Sequence, residues 1–276
     1  MSDEANYDLS QDPGSRKIPV PDLPYAPPRP EAYRPRIGLI GCGGITDHHL
    51  AAYRFQHYAV VALCDLRKEA AIEKRDKHYP EAQVFEDYHE LLAREDIDVV
   101  DIALHPAPRG AAIEAALKAG KHVLSQKPFV LDLNEGQRLV ELAEAKELKL
   151  AVNQNGRWAP YVRTIVEAIQ NGHLGDLQSL NIHINWNHTW IKGTAFETIH
   201  HIILYDFAIH WIDMVRLMFG QRKALSVYAQ ISRSPGQELT SPMMASVIIA
   251  FEEGLATLTF NAHSKVSPAE DIVVAG

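Results

Sequence analysis

The sequence predicts an α/β protein of two domains, a doubly wound parallel sheet followed by a second sheet of half-buried strands. Near-continuous apolar runs alternate with helix-length segments from Arg36 to about residue 153, the pattern of strands covered on both faces. A glycine-rich turn, 38-GLIGCGGIT-46, joins the first run to the first helix. Beyond Asp176 the periodicity becomes strict alternation: Leu180, Ile182 and Ile184 share one face of 176-DLQSLNIHINWNH-188, and Asn181, His183 and Asn185 the other.

Each element follows in turn. Residues 1–35 are polar and then proline-crowded, as in 18-IPVPDLPYAPPRPEAYRP-35; proline lacks the N–H and restrains its predecessor, so no regular element is expected. This segment is a disordered leader or an extended arm anchored by Leu23 and Tyr25. RIGLIG is the first strand, CGGITDHH the entry to a helix, and 59-AVVALCD-65 the second strand. LRKEAAIEKRDKHY is helical, VFEDYHELLAREDI follows it, and 98-DVVDIALH-105 is a buried strand. RGAAIEAALKAG then leads as a helix into 121-KHVLSQKP-128. The helix 132–148, with Leu133, Leu139, Val140, Leu142 and Ala143 at helical spacing, and the strand LAVN complete a first domain over residues 36–155.

The second domain, 156–276, opens with a helix from Tyr161 to Asn171, closed by 172-GHLG-175. The alternating strand follows, with 224-ALSVYAQIS-232, 243-MMASVIIAFE-252 and 255-LATLTFNAHS-264 as partners, the last two joined through a hairpin at EEG. The closing IVVAG reads as a strand just begun in a sheet that wants further members, so a C-terminal portion is expected beyond it.

Composition narrows the function. A formal charge of −8, from 27 Lys and Arg interspersed with 35 Asp and Glu, leaves no basic stripe for a nucleic acid backbone. No apolar run approaches the roughly 18 residues of a membrane span, and the N-terminus lacks the basic start and apolar segment of a signal peptide. A cytoplasmic protein is expected. Cys42 and Cys64 fall in strands and read as core thiols rather than a disulfide or metal site.

The glycine turn points to a dinucleotide. Gly41 permits the tight turn and Gly43 close backbone approach; with Gly44 and Ile45 they bring a pyrophosphate to the N–H groups of the helix start. Thr46 stands where the strict pattern has Gly or Ala. Asp65, 22 residues after Gly43, ends the second strand, where a carboxylate can accept both ribose hydroxyls and repel a 2′-phosphate. NAD is therefore favoured over NADP, a preference that Arg67 tempers.

The segment 121-KHVLSQKPFVLD-132, with the glycine turn before it and 206-DFAIH-210 after it, resembles the glucose-fructose oxidoreductase and inositol dehydrogenase (Gfo/Idh/MocA) family over Arg36 to the last residue. The resemblance implies a Rossmann-like domain, then an α/β domain with a large, mostly antiparallel sheet. It also implies an NAD(P)-dependent enzyme acting on a sugar or polyol, and a homodimer or homotetramer packed through those sheets. The lysine and proline of the family's Glu-Lys-Pro motif fall on Lys127 and Pro128, and its aspartate and histidine on Asp206 and His210. Gln126 replaces the glutamate, which leaves the lysine and removes a charge that could tune it.

Chemistry supports the same residues. Oxidising an alcohol needs a base for the hydroxyl proton and a cation for the developing alkoxide. His210 can be the base, Lys127 the cation near the nicotinamide, and Asp206 a substrate hydroxyl acceptor that biases the imidazole. Asp206 and His210, at i and i+4, are expected on one helical face. In 153-NQNGRWAP-160, Asn153 and Asn155 follow a strand end, and Arg157 and Trp158 resemble a substrate-facing family segment. Asn185, with His183, Trp186, His188 and Trp190, offers the amides and aromatic faces that suit a sugar. His105 and Gln126 are expected near the cofactor, His48 and His49 as helix-start residues beside it, and Asp213 in a structural pair or in solvent. His200, His201, Asp206 and His210 have no recognised metal-site spacing, and no metal is expected. The expected activity is NAD-dependent hydride transfer on a sugar, polyol or sugar acid; redox-neutral glycoside cleavage with NAD, and a non-catalytic dinucleotide or sugar sensor, are the alternatives.

Overall fold

A computed structural model describes residues 21–28 and 30–276. The rest of the leader lies outside the described residues. Residues 21–28 form no regular element; Leu23 is buried as an anchor should be, whereas Tyr25, the other expected anchor, is 48% exposed.

The first domain runs β1 (Arg36–Ile40), α1 (Thr46–Phe55), β2 (Ala59–Cys64), α2 (Lys68–His78), β3 (Gln83–Phe85), α3 (Tyr88–Leu92), β4 (Val99–Ile102), α4 (Pro106–Lys118), β5 (His122–Gln126), α5 (Leu133–Ala145) and β6 (Leu150–Asn153). All six strands are parallel, in the order β3-β2-β1-β4-β5-β6. The order reverses between β1 and β4, which opens a crevice at the carboxyl ends of the strands, where such sheets take their ligands. The three-residue edge strand β3 is not foreseen by the sequence pattern, because it is too short for a periodicity. Two apolar clusters, one centred on Leu39, Leu50 and Leu63 and one on Ile102, Ile113 and Leu117, fill the space between sheet and helices. Cys42 and Cys64 are buried and unpaired, and burial pushes both thiols up to about 12.

The second domain contains α6 (Pro160–Gln170), β7 (Ser179–Asn185), α7 (Ile209–Phe219), β8 (Ala224–Ser232), β9 (Met244–Phe251), β10 (Leu255–Asn261) and β11 (Ala269–Ala275). Its five strands lie in the order β11-β7-β10-β9-β8. The sheet is mostly antiparallel, as the resemblance implies: β7 and β10 run parallel, and the other pairs are antiparallel. The closing IVVA is a full strand, β11, paired along β7 from Ala269–Asn185 to Ala275–Ser179. One face carries the core, where Leu180, Ile182 and Ile184 meet Val162 and Val166 of α6 and Trp211 and Val215 of α7.

The regular helix expected across Asp206 and His210 is not what forms. A π turn covers Ile203–Phe207 and α7 starts after it; the Ala208 N–H donates to the Ile203 carbonyl at 2.7 Å, five residues back. The wider turn lets Ile203 and Phe207 both enter the core and still leaves the buried Asp206 carboxylate facing β5.

Candidate active site

The nucleotide end is built at the turn between β1 and α1. Gly41 has φ +91°, and a side chain there would place Cβ 2.8 Å from the Ala103 carbonyl oxygen, so the turn requires glycine. At Gly43 and Gly44 a Cβ would meet nothing within 4 Å: the backbone borders open space that side chains would fill. Thr46 explains its own departure from the pattern, since its buried hydroxyl donates to the Gly43 carbonyl at 2.6 Å and closes the first turn of α1. Cys42, Gly43, Gly44, Arg67, Glu69, Ala70, Glu73 and Lys74 line an adjoining cavity of about 410 Å³. Asp65 accepts from the backbone N–H of Cys42 at 2.8 Å and of the exposed Arg67 at 2.9 Å, two residues that line that cavity. An open glycine turn at a helix start and a carboxylate at the end of β2 fit the pyrophosphate and ribose of a dinucleotide. Ile45 is exposed at the same turn.

The reaction end lies where β5 meets the second domain. Lys127 follows the last residue of β5, and its Nζ donates to Asp206 twice, to Oδ1 at 2.8 Å and to the backbone carbonyl at 3.0 Å. An ammonium has three N–H donors, so one remains. The loop is held from beneath by Arg109 of α4, which is 2% exposed and donates to the carbonyls of Leu104, Gln126 and Pro128. Burial pushes this guanidinium down to about 10, against the opposing charge of Asp206.

His210 lies within the field of Lys127, Asp206, Asp213 and His188. Burial, and then the Lys127 charge, pull its pKa down to about 4 against the opposing carboxylates, so the imidazole is neutral at pH 7. His188 is also held below its ordinary value, by burial first. Its tautomer is fixed by Trp190, whose indole N–H can only donate and does so to His188 Nδ1 at 3.2 Å. The proton of the neutral ring is therefore on Nε2, a buried atom with no hydrogen-bond partner among the described residues.

The other expected residues divide. Arg157 is engaged by Asp213, with Nε 2.8 Å from Oδ2 and a second contact from Nη2 to Oδ1; a pair across 56 residues explains why Asp213 reads from sequence only as a possible structural partner. Trp158 is half exposed, with the Arg163 guanidinium 5.6 Å from its ring centroid. Asn185 ends β7, and Trp186 beside it packs edge-on against Phe207 and Trp211. His183 points away from the core, hydrogen-bonded to Thr259 at 2.7 Å. His105 takes the N-cap position of α4, and its ring lies 5.0 Å from that of Phe196 in the second domain, tilted by 54°. His200 and His201 line another cavity, of about 780 Å³, with Thr194, Thr198 and Ser241. Among the described residues no cluster of His, Cys, Asp and Glu is placed to hold a metal ion, and no helix is long and apolar enough to cross a membrane.

Two contributors, Arg109 and Asp101, escape the sequence pattern, and His49 is expected from it only as a helix-start residue beside the cofactor. Arg109 lies in what reads as an ordinary amphipathic helix. Asp101 is a fully buried carboxylate inside the apolar strand β4, and His49 of α1 reaches it with Nδ1 2.7 Å from Oδ2. A lone Asp in an otherwise apolar buried strand is the signal that could have found the pair.

Comparison with known proteins agrees with this architecture. Residues 35–154 match the model of an oxidoreductase family described as an NAD-binding Rossmann fold, and residues 162–276 match the GFO/IDH/MocA C-terminal domain. A D-apiose dehydrogenase of Paraburkholderia graminis is 27% identical over 222 residues, 80% of this chain and 58% of its own. The myo-inositol 2-dehydrogenase of Thermotoga maritima is 26% identical over 240 residues, 84% of this chain and 69% of its own. The crystal structure of an Agrobacterium radiobacter oxidoreductase with NAD+, L-tartaric acid and magnesium superposes with a TM-score of 0.81 at 20% identity, covering 88% of this chain and 72% of that one. The chain spans about half the length of several curated relatives that it matches. With one model covering the parallel sheet and the other the mixed sheet, the chain belongs to the Gfo/Idh/MocA oxidoreductase family, and its first domain is the NAD-binding Rossmann domain of that family.

Proposed function

We propose that the chain carries the cofactor site and reaction centre of an NAD-dependent dehydrogenase acting on a hydroxyl carbon of a sugar, polyol or sugar acid. The observation that carries this reading is the meeting of Lys127 from the first domain with Asp206, His188 and His210 from the second, at the carboxyl edge of β5. NAD, when bound by Gly41, Gly43, Gly44 and Asp65, supplies the hydride acceptor. The protein supplies the rest. His210, neutral at pH 7, can take the hydroxyl proton. The remaining N–H of Lys127 can donate to the oxygen as negative charge develops on it, and the partial burial of the ammonium strengthens that interaction. Asp206 orients the ammonium and can accept from a neighbouring hydroxyl. The unpartnered Nε2–H of His188 is a donor suited to another hydroxyl of the same substrate.

Trp158 and Asn185 remain part of the proposed substrate site; with its guanidinium committed to Asp213, Arg157 suits shaping the pocket wall better than binding substrate directly. A homodimer or homotetramer through the open face of the second sheet, and a cytoplasmic setting that suits two buried unpaired thiols, belong to the same reading. The test is nicotinamide reduction, followed by absorbance, with NAD or NADP and a panel of sugars, inositols and sugar acids. Reduction with one class of compound and a preference for NAD is expected. Confirmed NAD binding with no reduction across the panel, or aglycone release without net reduction, would overturn the dehydrogenase assignment.

A further inference from the structure

A chain of hydrogen bonds runs from the buried carboxylate of Asp101 to the peptide group of Lys127, and its polarity is forced from one end. The Lys127 backbone N–H can only donate, and it donates to Gln126 Oε1 at 2.8 Å. The Gln126 amide is thereby oriented, so its NH2 group is the end that meets His49 Nε2 at 3.2 Å. An NH2 group cannot accept; His49 Nε2 must be the acceptor, and it also faces the Asn153 NH2 group at 3.2 Å. The imidazole proton is consequently on Nδ1, pointing at Asp101 Oδ2 at 2.7 Å, which accepts from the Tyr53 hydroxyl as well at 2.8 Å. The groups that face His49 are thus one carboxylate from β4, one phenol from α1, and uncharged amides from β5 and β6.

We propose that His49 is a positioning residue for Lys127. Asp101 holds it as the neutral Nδ1–H tautomer, its Nε2 fixes the Gln126 amide, and that amide fixes the lysine's peptide group and so the origin of the side chain that meets Asp206. The network also accounts for glutamine at position 126. A glutamate there would turn a carboxylate oxygen toward Nε2, and an imidazole between two carboxylates would take a second proton.

The test has two arms, and only the second rests on the dehydrogenase reading. In the first, nitrogen-15 histidine spectra of the full chain, without substrate, are recorded at neutral pH, with the His49 signals assigned by their loss in His49→Gln. One protonated Nδ1 and one unprotonated Nε2 are expected, and Gln126→Glu should convert both to protonated nitrogens. The Nε2–H tautomer in the unsubstituted chain, or unchanged spectra in Gln126→Glu, overturns the proposal. In the second arm, turnover is measured with a substrate found in the panel. His49→Phe keeps the ring and loses both nitrogens; it should lower kcat by about tenfold or more, the scale of a slightly misplaced catalytic group, with the KM for NAD nearly unchanged. His49→Gln, whose amide oxygen can replace the acceptor, should recover much of that loss. Equal loss in the two variants, or no loss in either, overturns the positioning role. If His49→Phe does not fold, Gln126→Glu supplies the kinetic comparison, with lowered kcat expected and unchanged kcat contradicting the proposal. A wild-type chain inactive across the panel would instead count against the dehydrogenase reading and leave the tautomer result standing.

Discussion

His210 is neutral in the folded chain because charging it would put a cation in a buried place beside another cation, Lys127. Its pKa of about 4 lies below the value of roughly 6.5 for an exposed histidine, so between those two pH values the unfolded chain binds more protons than the folded one. Stability linked to this group is fully present above about pH 6.5 and is lost as pH falls toward 4; His188, shifted in the same direction, adds to the loss. The limit for His210 is on the order of 3 kcal/mol. Urea midpoints taken across this range should fall for the wild-type chain and fall less steeply for His210→Phe. Lys127→Ala removes the repulsive neighbour, so the His210 pKa should rise in a carbon-detected titration. That Lys127 and Asp206 meet, with His210 close by, was legible in the sequence because motif and spacing point to all three; their catalytic roles belong to the proposal. The Asp213 pairing of Arg157 was not, since only the fold brings α7 onto the turn before α6.

Short elements with demanding geometry place these side chains. In the turn from β1 to α1, Gly41 answers to the fold and Gly43 to the ligand, and the two should separate in experiment. Gly41→Ala forces Cβ against the Ala103 carbonyl at positive φ and should lower Tm. Gly43→Val projects into open space, so Tm should hold while NADH binding, followed by fluorescence, weakens by tenfold or more. Arg109 joins α4 to the Lys127 loop through the carbonyls of Gln126 and Pro128 and also donates to that of Leu104. Arg109→Met should cost about 3 kcal/mol in chemical denaturation, because buried acceptors lose their donor, and Arg109→Lys should recover only part. The parallel strands were legible as apolar runs, and β7 as an alternation. The edge strand β3 and the π turn were not, because three residues carry no period and DFAIH has the spacing of an ordinary helix.

The whole molecule brings Lys127 of the Rossmann side against Asp206 of the other, where the proposed chemistry lies, and leaves one sheet face open. Across that face Tyr228, Ile248, Thr257, Asn181 and Val273 stand in register on five strands, with Tyr228 63% and Val273 57% exposed. A row of this kind suits a second copy of the chain. Ile248→Asp should shift sedimentation toward monomer without lowering Tm appreciably; an unchanged assembly would remove this face from the interface. The doubly wound parallel sheet was legible from apolar strands alternating with helices, whereas the parallel pairing of β7 with β10 depends on contacts between distant segments. The most direct test is the rate of nicotinamide reduction by wild-type, Lys127→Ala, Asp206→Asn and His210→Ala chains on the first substrate that the panel identifies. Turnover should fall by about 10² to 10⁴ in Lys127→Ala and His210→Ala, and measurably in Asp206→Asn, with NADH affinity retained in all three. Full turnover in both Lys127→Ala and His210→Ala would contradict the assignment of the reaction centre.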